Sequence, residues 1–157
     1  LGLDGGGLMG FTISFDGMDE YRDQLRGIEQ HVPGMVNASL YQGAAILADA
    51  VQNEIAGLRQ LTPEAQQGLK EGLGIARFWH ENGATVTKIG WTGYNRKRTK
   101  RWPKGQPNAM IARSVQRGTS WMRADRFTTR AAKKARQKAI GVMQTQFDVE
   151  LQKYIKK

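Results

Sequence analysis

The chain has no cysteine and only two histidines, His31 and His80. A disulfide framework and a thiolate metal site are therefore excluded. Nucleophilic triads and zinc sites need cysteine or several histidines converging on one point, and these residues are too few to supply them. The lack of thiols suits a reducing cytoplasm. No apolar run approaches the roughly 20 residues that span a bilayer, and the opening LGLDGGGLMGF has neither the basic nor the apolar region of a secretion signal, so no membrane contact is expected. Acidic residues are nearly missing from one third of the sequence: from Lys88 to Lys138 Asp125 stands alone against 16 lysines and arginines.

What is present fits one domain. A length of 157 residues is large enough for a real core and too short for two. The formal net charge is +10, distributed as −6 through Thr87, +15 from Lys88 to Lys138 and +1 beyond. Two surfaces of opposite sign are then available for self-association or for meeting a polyanion. Met9 reads as a native start, which leaves residues 1–8 as an upstream extension or a cloning remnant outside the fold, and 9–157 as a single domain.

The pattern along the chain predicts both strands and helices. Phe11 to Phe15 alternate as a short half-buried strand, and Met18, Tyr21, Leu25 and Ile28 fall at helical spacing. From Val36, the residues Leu40, Ala44, Leu47, Val51, Ile55 and Leu58 form a continuous stripe on a long helix. Thr62, Pro63 and Glu64 carry the N-cap, first-turn proline and first-turn acid of a short helix running towards Leu69, which Gly72 and Gly74 stop. Asn82-Gly83 between β-rich runs predicts a hairpin with strands over Gly74–His80 and Ala84–Trp91. NAMIARSVQRG alternates again, with Met110, Ala112 or Ile111, and Val115 as candidates for a buried face, and predicts a further strand. The basic stretch 92–107 then becomes a long connection between two strands. A last helix is predicted over 125–156, with Asp125 as its N-cap and Phe127, Ala131, Ala135, Ala139, Met143, Phe147, Leu151 and Tyr154 along one side.

No chemical signature emerges. His80, in WHEN, lacks a second metal-facing histidine and reads as a surface residue at a strand end. Asp16, Asp19, Glu20 and Asp23 match no calcium loop, and the dipole of a helix beginning there accounts for them. LGLDGGGLMG has no phosphate-loop lysine. No enzyme class is supported and no cofactor is expected. The remaining candidate is NRKRTKRWPK (Asn95 to Lys104), in which six of ten residues are basic. Trp91, Tyr94 and Trp102 interleave there with Arg96, Lys97, Arg98, Lys100, Arg101 and Lys104. Such a mixture can stack on bases while its cations meet phosphates. Equally, Trp91 can end a strand facing the core, with the cations as a solvated loop and Trp102 exposed.

The order of GMDEYRDQL, GAAILADAVQNEI, GLGIARF, TKIGWTGYN and IARSVQRGTSWMRADRFTTRA resembles the small neck proteins of long-tailed bacteriophages, the head-tail connector or tail completion proteins. The resemblance covers about Gly10 to Tyr154. Its most specific part is the strand ending in the turn Gly118-Thr119, followed after several residues by the aromatic Phe127 that enters the last helix; family members often have proline where this chain has Arg126. The resemblance implies an α+β fold with helices on one face of a small antiparallel sheet of three to four strands. It also implies a non-enzymatic virion protein in a ring, hexameric in the family, between the head adaptor and the tail tube or tail terminator protein. The genome passes through such a ring, and the subunit stays in the host cytoplasm before assembly. Tyr94, Arg96, Lys97, Arg98, Lys100, Arg101, Trp102 and Lys104 then become an assembly loop that orders on docking, with genomic DNA as a second contact.

Overall fold

The architecture follows from the apolar stripes. In the computed structural model, which describes residues 2–7, 10–15, 28–96 and 98–155, Val36, Leu40, Ala44, Leu47, Val51 and Ile55 are fully buried along α1 (Val32–Ala56). Pro33 sits in its first turn, where a missing N–H is no loss. Thr62 Oγ1 accepts from the Ala65 N–H at 3.2 Å and so caps α2 (Pro63–Gly72), as its sequence predicts.

The last helix, α4 (Phe127–Ile155), buries Phe127, Ala131, Ala135, Ala139, Met143 and Phe147, every fourth residue, against α1. Alanines in the middle of that row let the two axes approach. Gly43 of α1 leaves room for Met143, since a Cβ there would run into the Met143 side chain. The pair is antiparallel and clasped at both ends. The His31 ring stacks on Tyr154 with centroids 4.1 Å apart. At the other end Glu54 accepts from Arg130 Nε at 2.6 Å and Lys134 Nζ at 2.7 Å.

The sheet is antiparallel and built from β1 (Gly2–Gly7), β2 (Gly10–Phe15), β3 (Leu73–Ile75), β4 (Trp79–Glu81) and β5 (Ala84–Trp91). β5 is central, with β2 and then β1 on one side and both short strands on the other, so the sheet is four positions wide. Thr85, Thr87, Ile89 and Trp91 point to one face and are all buried; Ile13, paired with Thr87, lies on the same face beside Gly43 of α1. The fold is α+β, a small antiparallel sheet packed against several helices. Asn82 (φ 51°) and Gly83 (φ 77°) form the expected two-residue hairpin tip.

Four expectations need correction. The strand Gly74–His80 is broken: Ile75 opposes Ile89 but Trp79 opposes Val86, so four steps on one side face three on the other, a one-residue bulge. The bulge is held where the Ala76 N–H donates to the Lys88 carbonyl at 2.7 Å and Thr87 Oγ1 donates to that of Ala76, also at 2.7 Å. Residues 2–7, expected outside the fold, are a strand paired with β2, Leu3 opposite Ile13.

The third correction concerns NAMIARSVQRG, which is a helix, α3 (Asn108–Arg117), and not a strand. Its buried residues Asn108, Ile111, Ala112 and Val115 follow a three- and four-residue step, and Met110 is 37% exposed. Both edges of β5 are already occupied, so the basic stretch leads from a strand to a helix. Finally, the Arg126 carbonyl accepts from the Arg130 N–H, which makes Arg126 the N-cap of α4. Asp125 stands one residue outside, and its carboxylate reaches Arg130 Nη1 at 3.0 Å. Of the helix expected over Met18 to Ile28, residues 18–27 lie outside the described residues.

Candidate assembly surface

Among its described residues the basic stretch doubles back as a hairpin. Beyond β5, Tyr94 bridges to Pro107 and the Asn95 N–H donates to the Gln106 carbonyl at 2.7 Å. Nearer the tip, Thr99 and Trp102 exchange backbone hydrogen bonds of 3.1 and 3.0 Å, and the Trp102 N–H also reaches Thr99 Oγ1. Lys100 and Arg101 are left as the two residues of the tip.

Its root is pinned by two buried amides. Asn95 Nδ2 donates to the Ala65 carbonyl at 3.1 Å and to Asn108 Oδ1 at 3.3 Å, and Asn108 Nδ2 donates to the Thr92 carbonyl at 3.0 Å. Buried amides are costly without partners, so this network fixes the exit and return of the hairpin against α2. Gly68 and Gly72 make it fit. A Cβ at Gly68 would collide with Asn95 Nδ2, and one at Gly72 would lie 2.6 Å from the Thr92 carbonyl. Glycines four apart on one face of a short helix were the signal available in the sequence.

The predicted residues divide. Arg96, Arg98, Lys100, Arg101 and Lys104 are exposed, and none has an ion-pair partner among the described residues. Tyr94 is 69% exposed beside them. Lys97 lies outside the described residues. Trp102 is half-buried and not exposed as expected, tucked into the turn it closes. Trp91 is 7% exposed, with its Nε1 donating to the Leu69 carbonyl at 3.0 Å, so it cannot stack on a base.

Gly118, Thr119 and Phe127 belong to packing. Gly118, at φ 80°, ends α3, and a Cβ there would lie 2.8 Å from the Ala124 nitrogen. Thr119 pairs with Met122, its N–H donating at 2.8 Å, and the Asp125 N–H donates back to the Val115 carbonyl at 2.8 Å. The chain is thereby turned so that Phe127 enters the core, tilted against Trp91 at 5.8 Å. Gln116 Oε1 accepts from the Thr128 N–H at 3.3 Å and its hydroxyl at 2.9 Å, covering the first turn of α4. The residue that the sequence reading missed is Trp121, at the tip of this turn and 87% exposed.

Burial alone would push the Glu54 carboxyl up, but the hydrogen bonds from Lys134 and Arg130, reinforced by their charges, outweigh it and hold Glu54 below its ordinary range. One acid of the negative half is thus neutralised within the chain by two cations of the positive half. Among the described residues no group of three or more histidine, aspartate or glutamate side chains is placed to hold a metal, and no helix is long and apolar enough to cross a membrane. His80 is exposed as expected but sits in the middle of the three-residue β4, opposite Thr85, whose Oγ1 lies 3.3 Å from its Nδ1. No protein-family model, curated protein or solved structure matches this chain.

Proposed function

We propose that the protein is a structural virion component, a ring subunit of the phage neck that joins the head adaptor to the tail tube or tail terminator protein. The observation that carries this reading is the hairpin 94–107. Its root is fixed by buried hydrogen bonds, while its tip presents cations that have no partner among the described residues. A braced, one-signed projection is suited to engage an acidic surface on another protein without first paying for its own ordering. The α+β fold inferred from the same resemblance is the fold observed, and the segregation of charge suits side-by-side packing of subunits.

In this reading the isolated subunit is a monomer or weak oligomer, and contact with the partner ring drives six-fold closure. Changing Arg96, Lys97, Arg98, Lys100 and Arg101 to glutamate is expected to abolish joining of heads to tails while lowering Tm by no more than a few degrees, because the exposed cations contribute little to the fold. Normal infectious particles from that variant would refute the role.

A second reading, a nucleic-acid-binding module, draws on exposed Tyr94 beside the same cations. Titration with duplex and single-stranded DNA separates the two. Phosphate contact through six or more cations loses about a thousandfold in affinity between low and moderate salt. Weak binding without that slope leaves the connector.

A further inference from the structure

Trp121 has the greatest exposure of the large apolar side chains among the described residues. It projects from a turn that is braced three times, by Gly118, by the Thr119–Met122 pair and by the Asp125–Val115 bond. Arg117 and Arg123 flank it; both are exposed, and neither has an ion-pair partner among the described residues. An indole held rigidly in water between two cations contributes nothing to the isolated fold, and tryptophan with arginine is the usual composition of an interface anchor.

A matching recess lies elsewhere on the chain. Between α2 and the root of the hairpin runs a cleft of about 500 Å³, lined by Glu64 and Glu71 of α2 and by exposed Tyr94 and Arg96 of the hairpin. Both carboxylates are exposed, with no ion pair among the described residues; Glu71 accepts one hydrogen bond, from Gln67 Nε2 at 3.1 Å. Trp121 lines a separate groove with Leu61 and Ile111, and the two recesses have no residue in common, so knob and cleft are both open in a single copy.

We propose that Trp121 of one copy seats in the α2 cleft of a second copy, against Tyr94, with Arg117 and Arg123 meeting Glu64 and Glu71. The inference rests on the ring reading and assigns its surfaces. Charge complementarity selects the occupant, because this chain carries both members of the pair, and the two carboxylates disfavour a phosphate backbone. The contact joins two different surfaces, so it is head-to-tail and propagates to a closed ring or an open filament.

The absence of cysteine makes a direct test available. Ser120→Cys marks the knob and Gln67→Cys marks the cleft; maleimide labelling first verifies that both thiols are accessible. Oxidation at high protein concentration and low salt is expected to join Ser120→Cys chains to Gln67→Cys chains as a heterodimer, and to give a ladder of covalent oligomers from the double variant. Trp121→Ala in the double variant is expected to reduce the ladder more than about tenfold, the loss typical of a removed anchor. Glu64→Lys with Glu71→Lys removes it, and adding Arg117→Glu with Arg123→Glu restores it. Reactive thiols that give no heterodimer, or a ladder indifferent to Trp121→Ala, overturn the docking. If light scattering still shows wild-type self-association in that case, the ring reading survives and only this pair of surfaces is wrong. If the ladder forms while reversal of the hairpin cations leaves head-tail joining intact, the docking stands and the hairpin's role falls.

Discussion

Gly68 shows how a missing side chain decides a contact. In an isolated helix alanine would be favoured over glycine by about 1 kcal/mol. Here the added methyl would displace Asn95 and leave the Ala65 carbonyl and Asn108 Oδ1 without that donor, a loss of about 1–3 kcal/mol. Gly68→Ala is therefore expected to destabilise in urea unfolding, and in the Asn95→Ala background its penalty is expected to shrink, since the group it strikes is gone. Glu54 gives a pH-dependent counterpart. Its carboxyl is held below the ordinary value, so its stabilisation is complete above the unfolded-state pKa and is lost as pH falls through the folded one. Glu54→Gln is expected to destabilise at neutral pH, with its Tm converging on that of the wild type only as pH falls through the lowered folded-state value of Glu54.

Elements were legible where the signal was local. Thr62-Pro63-Glu64, Asn82-Gly83 and the stripe of α1 each act within one turn of chain, and each produced the predicted feature. The hairpin tip carries a sharp prediction. Gly83→Ala places a side chain at φ 77° and is expected to destabilise by about 1 kcal/mol in thermal melts, whereas Gly74→Ala, with open space around it, stays within about 0.5 kcal/mol. α3 was misread because Met110 and Ala112, or Ile111 and Val115, fall an even number of residues apart. What selected the helix was non-local: both edges of β5 were already occupied, and Ile111, Ala112 and Val115 had a core to face. The glycine-rich β1 contains few residues that favour strands; its pairing comes from the edge that β2 presents. The candidate surface was half legible. Its cations stood out in the composition, but the amide clamp joins residues 30 apart in sequence, Asn95 and Ala65, and the exposure of Trp121 depends on a turn whose bracing bonds reach back to α3.

At the scale of the molecule, the four tryptophans report on the packing independently. Trp121 is most exposed, Trp79 and Trp102 are partly covered, and Trp91 is buried against Phe127. Trp121→Phe is expected to remove the largest share of acrylamide-accessible fluorescence without changing Tm, whereas Trp91→Phe is expected to lower Tm because the Leu69 carbonyl loses its donor. The hairpin tip has a different consequence. Lys100 and Arg101 sit at the point of the chain farthest along an exposed turn, while α1 lies before them in sequence and α4 after them. A single tryptic cut there would divide the protein into two fragments whose largest contact is the α1–α4 pair, the most extensive between elements in the fold. The root amides would sit on opposite fragments, Asn95 with the first and Asn108 with the second. Nicked protein should thus remain associated under native conditions and separate in denaturant. Remixing the purified halves would convert an intramolecular packing energy into a dissociation constant, with the zipped helices serving as a two-piece reporter of reassembly.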